Sequence, residues 1–255
     1  MEHTLTWNPG FYNNKHAFVF NYGRGLIDLL QPKKNERILD LGCGAGQLTD
    51  AISKFTTDVV GIDNSPEMIE DARKSYPDID FRVMDASNFS LDKPFDAIFS
   101  NAALHWVKKY KEAARCMYDN LNEGGRLVIE MGGHGNVETI TNSLQKLLSK
   151  KGYLEQSRFF PWYFPTMGAY AAVLENVGFR VLVAQHYDRP TELADEATGI
   201  MDWLNMFGDG FFAGVDEKDR AEIIHEVQED VKPELFHDRK WYADYKRLRI
   251  LAHKH

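Results

Sequence analysis

The segment Asp40-Leu41-Gly42-Cys43-Gly44-Ala45-Gly46 puts three alternating glycines directly behind a carboxylate. Glycine lets a backbone turn tightly and approach a ligand closely. A helix that starts just after such a turn offers free N–H groups and a positive dipole end. The spacing is G-x-G-x-G rather than the G-x-G-x-x-G of dinucleotide sites, and taken alone it also fits an ordinary strand-to-helix turn. Asp63 follows at the end of the next apolar run, where a carboxylate can accept both hydroxyls of a ribose. It can equally cap the helix that begins near Ser65. Asp85-Ala86 ends a third run, where a carboxylate can accept from an exocyclic amine such as that of adenine, or serve as a plain loop aspartate. Met68 lies on the helix after Asp63, suited to an adenine face or to core filling. Asn101-Ala102-Ala103-Leu104-His105-Trp106 closes a fourth run with small residues that leave room for a reacting centre. His105 and Trp106 are placed to line an acceptor there.

These residues need strands that end at one edge. Arg37–Leu41, Asp58–Ile62, Phe81–Met84, Phe95–Ser100 and Arg126–Met131 read as strands. Gln47–Phe55, a segment capped by Ser65 with Pro66 at its first position, and Tyr110–Leu121 read as helices. Gly124-Gly125 reads as the turn before the fifth strand. Strands alternating with helices predict a parallel sheet covered on both faces, with ligands beyond the carboxyl ends of the strands. Tyr22–Leu30 reads as an N-terminal helix and Val137–Lys150 as a later one. An aromatic loop follows at Phe160-Pro161-Trp162-Tyr163-Phe164-Pro165. Phe179–Tyr187 and Arg247–Ala252 read as the last strands of the sheet. The expected organisation is one α/β domain over 1–255, a doubly wound Rossmann-like sheet. It has an N-terminal segment (1–36), a cofactor-binding core (37–135), remaining sheet (136–189 and 246–255) and a helical cap inserted at 190–245.

The chain has 255 residues and a net charge of −8, which opposes a partner bound through its phosphates, so no nucleic acid is expected. No apolar run is long enough to span a membrane, and no basic-then-apolar leader opens the chain. Two cysteines, Cys43 and Cys116, make neither a disulfide framework nor a metal site by themselves. A cytoplasmic protein without a metal, monomeric or homodimeric, is the expectation.

The glycine loop, Asp63, Asp85-Ala86 and Gly124-Gly125 stand in the order and spacing of class I S-adenosylmethionine-dependent methyltransferases, and residues 37–131 resemble that family's type 11 group. Trp7-Asn8-Pro9 with Tyr12, together with the 101–106 run, resembles the trans-aconitate methyltransferase branch, although Tyr22-Gly23-Arg24 departs from the arginine context usual there. The resemblance implies a seven-stranded sheet, S-adenosylmethionine as cofactor and S-adenosylhomocysteine as product. It implies that Gly42, Cys43, Gly44, Gly46 and Gln47 hold the methionine part and that Asp40 orders the loop. Asp63 and Asn64 hold the ribose, and Asp85, Ala86 and Met68 the adenine. Asn101 and Leu104 lie near the sulfonium, with Tyr12, His16 and Tyr22 closing over the cofactor. A carboxylate acceptor needs no general base, whereas a hydroxyl does, and His16 and His105 are the candidates. Trp106, Tyr163, Phe211 and Phe212 are candidates for an apolar acceptor wall. Arg189 is a candidate partner for an acceptor carboxylate, and Gly208-Asp209-Gly210 for a mobile gate. The expected activity is methyl transfer to a small molecule, with O-methylation of a carboxylate or hydroxyl foremost. A nicotinamide-dependent oxidoreductase and a non-catalytic S-adenosylmethionine-binding protein are the alternatives.

Overall fold

The computed structural model describes residues 25–255. Residues 25–30 are helical. Ten strands follow in chain order with seven α-helices between them. These are β1 (Arg37–Leu41), α1 (Gln47–Ser53), β2 (Asp58–Asp63), α2 (Pro66–Ser75), β3 (Asp80–Val83), β4 (Phe95–Asn101), α3 (Tyr110–Asp119) and β5 (Leu121–Gly132). Then come α4 (Glu138–Lys150), α5 (Met167–Val177), β6 (Phe179–Asp188), β7 (Thr191–Glu192), α6 (Gly199–Phe207), α7 (Glu217–Leu235), β8 (Phe236–His237), β9 (Lys240–Ala243) and β10 (Lys246–Lys254).

The chain divides into two compact units. One, made of residues 25–134, Trp162–Tyr187 and Arg247–His255, is built on a seven-stranded sheet of order β3-β2-β1-β4-β5-β10-β6. Strands β3 to β5 run parallel, and β10 enters antiparallel to β5. The strand order reverses at β1 and β4, so the glycine loop leaves the sheet at its switch point. Central strands of a parallel sheet bury both faces, and here alternate residues feed two cores. Leu39, Ile98, Leu127, Ile129 and Ile250 pack with Met117, Tyr170 and Leu174 on one face. Ile38, Ala97, Phe99 and Val128 pack with Leu26, Ile27, Leu30 and Ile52 on the other.

The other unit, Gly135–Pro161 and Asp188–Lys246, holds α4, α6, α7 and a three-stranded sheet of order β7-β9-β8. The 190–245 segment therefore contains strands as well as helices, and its unit also takes in α4.

Local chemistry explains most element ends. The Ser65 hydroxyl accepts from the Met68 N–H, Pro66 opens α2, and Arg73 and Lys74 lie in its last turn. Helix α5 has no counterpart in the sequence reading, although Thr166 caps its start and a left-handed Gly178 ends it. Gly124-Gly125 does not precede β5 but lies within it, where the register against β4 slips between Phe95 and Ala97.

Candidate functional site

Strand β1 delivers Asp40 into the sheet, where it is buried and its Oδ2 accepts from the Thr49 hydroxyl at 2.7 Å. Burial raises its pKa to about 7, the nearby Asp63 adds to the rise, and Thr49 opposes it. The Asp40–Thr49 bond ties strand to helix α1 across the glycine loop. Gly42, Gly44 and Gly46 all have positive φ, at 77°, 54° and 89°. Their surroundings differ. A Cβ on Gly42 would overlap that of Ala103, and one on Gly46 would meet the Phe81 ring at 2.7 Å. At Gly44 no described residue lies within 4 Å. Two glycines are thus required by packing, while the third opens the loop.

Asp63 holds this loop from the neighbouring strand. Its Oδ2 accepts from Gly44 N–H and its Oδ1 from Ser65 N–H, each at 3.0 Å. Asn64 N–H also bonds to this carboxylate. Ser65 rather than Asp63 is the cap of α2, and Asp63 braces the approach to that cap while holding the glycine loop. Desolvation raises its pKa against the pull of these N–H groups. A carboxylate has about four lone-pair sites, so with three N–H donors in place one further donor can still be accepted. Cys43 is buried, and burial pushes its thiol well above the usual range. Gln47 starts α1 and is half-buried, and Asn64 is exposed. Asp85 is exposed, and its Oδ1 accepts from both the N–H and the hydroxyl of Ser87. Ala86 is half-buried against the core, and Met68 is buried on α2.

Beyond β4, Asn101 is buried, and Ala102 takes φ 58° while its N–H donates to the Glu130 carbonyl. Leu104, His105 and Trp106 form a 3-10 turn. His105 is a correction to the general-base expectation. Its ring is buried and its Nδ1 accepts from Gly132 N–H at 3.3 Å. Burial, with the Arg247 guanidinium adding to it, drives its pKa well down. That bond engages the Nδ1 lone pair, the atom a general base would use. The other base candidate, His16, lies outside the described residues, as do Tyr12 and Tyr22.

From Trp162 on the aromatic loop belongs to the same unit, whereas Phe160 and Pro161 fall in the other. Tyr163 N–H donates to the His105 carbonyl at 2.8 Å, and its ring stacks on Tyr110 at 3.9 Å. Trp106 meets Trp162 edge-on. Arg189, Phe211 and Phe212 lie in the other unit. Phe211 is fully buried against Phe159, and Arg220 lies over the Phe212 ring. Both pack within their own unit. The segment expected to be a gate is a 3-10 turn, Asp209–Phe212, pinned by an Arg220–Asp209 ion pair at 2.6 Å. Arg189 N–H donates to the Tyr245 carbonyl, and its own carbonyl accepts from the Thr191 hydroxyl.

A methyltransferase domain family matches residues 38–125. The chain is 32% identical to the uncharacterized methyltransferase C70.08c of Schizosaccharomyces pombe, over 97% of this chain and 98% of that protein. The chain belongs to the class I S-adenosylmethionine-dependent methyltransferases. It is also 29% identical to the trans-aconitate 2-methyltransferase of Shigella dysenteriae, over 79% of each chain. The S-adenosylmethionine-dependent methyltransferase of Mesorhizobium loti shares the fold, with a TM-score of 0.55 at 19% identity, over 91% of this chain and 96% of that one.

The glycine loop of this methyltransferase fits an adenosyl ligand on its own geometry. Among the described residues the face at Gly44 is clear beside Asp63, and both Asp85 bonds leave Oδ2 aside. The sequence reading passed over one polar group. Glu130 is fully buried on β5, between Asn101 of β4 and Arg249 of β10. Its carboxylate accepts from Arg249 Nε at 2.8 Å and from the Tyr187 hydroxyl at 2.6 Å. Arg247 Nε stands 3.7 Å from the same carboxylate. The alternation of Arg247 and Arg249 within an apolar strand was the available signal, since period two puts both on one face.

No helix among the described residues is long and apolar enough to cross a membrane, and no group among them could hold a metal ion.

Proposed function

We propose that this methyltransferase transfers a methyl group to a small organic acid, with a carboxylate oxygen as the acceptor atom. The observation that carries the cofactor side is the loop Gly42–Gly46, closed at its outer glycines and open at Gly44, with Asp63 bonded to it. Gly42, Cys43, Gly44, Gly46 and Gln47 would hold the methionine part, Asp63 and Asn64 the ribose, and Asp85, Ala86 and Met68 the adenine. Asn101 and Leu104 would stand near the reacting centre. When bound, S-adenosylmethionine supplies a methyl group already activated by its sulfonium. The protein's share is alignment and exclusion of water. An ionised carboxylate needs no base, which agrees with a His105 that has none to offer. The small-acid reading draws on the trans-aconitate 2-methyltransferases among the relatives and on the net charge of −8, which disfavours nucleic acid.

Calorimetric titration with S-adenosylhomocysteine and S-adenosylmethionine, with NADH as a control, tests the cofactor site. Micromolar binding of the adenosyl ligands (~8 kcal/mol) and none of NADH is expected. A panel of small acids and phenols, read by methyl incorporation, tests the acceptor. Methylation of phenols alone would overturn the carboxylate assignment.

A further inference from the structure

The two edges of the seven-stranded sheet are finished differently. An edge strand offers unpaired N–H and C=O groups to a strand that comes beside it, and short length and charged side chains blunt that offer. Strand β3, at one edge, has four residues, and two of them are Asp80 and Arg82, ion-paired at 2.7 Å. Arg73 also covers the Phe81 carbonyl, donating from Nε at 3.0 Å and from Nη2 at 2.6 Å. Strand β6, at the other edge, runs ten residues, Phe179–Asp188, and no described strand lies outside it. It carries Val181-Leu182-Val183-Ala184 as an unbroken apolar run, and Arg180 and Asp188 stand near its two ends. Neither proline nor glycine interrupts it. Leu182 is 45% exposed, and Arg180, Gln185, His186 and Asp188 are exposed as well.

In an antiparallel pair, residues directly opposite each other either both point their N–H and C=O groups across or both point them away. Outward groups recur every second residue, so two copies of one strand related by a two-fold axis must pair about a residue, not about a peptide bond. Centring on Ala184 engages the whole run from 180 to 188 and sets the strand's smallest side chain on the axis, opposite itself. Arg180 then faces the partner's Asp188 at both ends, Val181 the partner's Tyr187, and Leu182 the partner's His186. Opposite charges directly across a pair are favourable, and like charges are not. A centre at Val183 instead puts Arg180 opposite the partner's His186, and a centre at Gln185 puts Leu182 opposite the partner's Asp188. The charges thus match in one register alone. Asp188 lies 3.6 Å from Lys246, and its side chain stays 71% exposed, which leaves room for a second cation.

We propose that β6 pairs with the β6 of a second copy of this chain, antiparallel and centred on Ala184, so that the sheet continues across a two-fold axis. Such a contact is closed, because each copy spends its β6 edge on the other and none is left to recruit a third. It also accounts for a long apolar edge without charges along its middle, since the strand is covered rather than blunted. The pairing is independent of what the methyltransferase acts on.

Sedimentation equilibrium of the full chain across the micromolar range tests it, and the wild type should sediment at twice the 29.3 kDa of one chain. R180E sets carboxylates together at both ends of the paired strands, and D188R sets guanidiniums together there. Each alone should raise the dissociation constant of the dimer tenfold or more while keeping the far-ultraviolet circular dichroism of the wild type. An equimolar mixture of R180E and D188R brings opposite charges together at both ends and should regain the dimer. Mixing would not repair two chains that were merely misfolded. L182K, with an ammonium in the apolar run, should also dissociate the dimer. A wild type that sediments as a single chain overturns the proposal. So does a dimer that R180E and L182K leave intact, since its contact then lies elsewhere. Single variants that dissociate but stay single chains when mixed overturn the pairing about Ala184. Should R180E or D188R lose the wild-type spectrum, L182K decides, and a dimer of wild-type affinity in that variant overturns the assignment to β6.

Discussion

Substituting alanine at Gly42 and at Gly44 separates packing from ligand access within one loop. Both residues have positive φ, at 77° and 54°, so each alanine incurs roughly 1–2 kcal/mol of left-handed strain. At Gly42 the new methyl also overlaps the Ala103 Cβ, which lies on the rigid segment after β4. Overpacking of that kind adds about 1–3 kcal/mol. G42A should therefore lose roughly 2–5 kcal/mol, and G44A only the strain. For a chain of this length each kcal/mol moves Tm by roughly 2–4 °C. G42A should melt some 6–12 °C below wild type at a mid-range loss of ~3 kcal/mol, and G44A a few degrees below it. Affinity should show the reverse order, with G44A losing the greater part of S-adenosylhomocysteine binding per degree of Tm lost. Replacing Ala103 by glycine removes the opposing methyl, so G42A/A103G should regain the overpacking share, a coupling of about 1–3 kcal/mol in a double-mutant cycle. Calorimetric melting of the four proteins, with titration of each, reads both quantities. Equal Tm losses in G42A and G44A, or no coupling between positions 42 and 103, would refute the account of why the loop needs glycine at 42.

Asp40 is ordinarily ionised above about pH 4 in an unfolded chain, but folded it holds its proton to about 7. The native state then binds more protons than the unfolded state between these values, so its contribution to stability is present below about pH 4 and lost as pH rises through 7. D40N should flatten that decline, as measured by urea midpoints at pH 5 and pH 7.5 against wild type. H105N keeps an oxygen able to accept from Gly132 N–H, so it should retain turnover within tenfold and leave the pH profile unchanged, whereas a loss of several orders in kcat would restore His105 as a base. D63A strips the loop of its bonds to Gly44 and Ser65 and should abolish measurable S-adenosylhomocysteine binding by calorimetry, at a cost of about 1–3 kcal/mol in stability as well. R189A, in the other unit, should bind S-adenosylhomocysteine as wild type does, and a loss of binding there would misplace the whole site.

Much of the sheet around the glycine loop was legible from the residues in order. Strand β1, the glycines behind it, Asp63 at the end of β2 and the Ser65-Pro66 start of α2 are each dictated by neighbours a few positions away. Periodicity, capping and the demand for positive φ are local, so they survive in a linear reading. Helix α5 was equally local, and its Thr166 cap and Gly178 end were there to be used.

What tertiary structure alone decided involves partners far apart in the chain. His105 reads as a base until Gly132 donates to it and the fold buries it. Phe211 and Phe212 read as an apolar pair, and only the fold shows that Phe159 and Arg220 are what they pack with. The cluster around Glu130 depends on register. Glu130 meets Arg249 because β10 returns antiparallel beside β5, and Asn101 because β4 runs parallel on its other side. A slip of one residue in either pairing would turn those side chains to the opposite face. The sequence alone carries the alternation of arginines, but only strand order and register can show that they converge on one buried carboxylate at the edge where the glycine loop emerges.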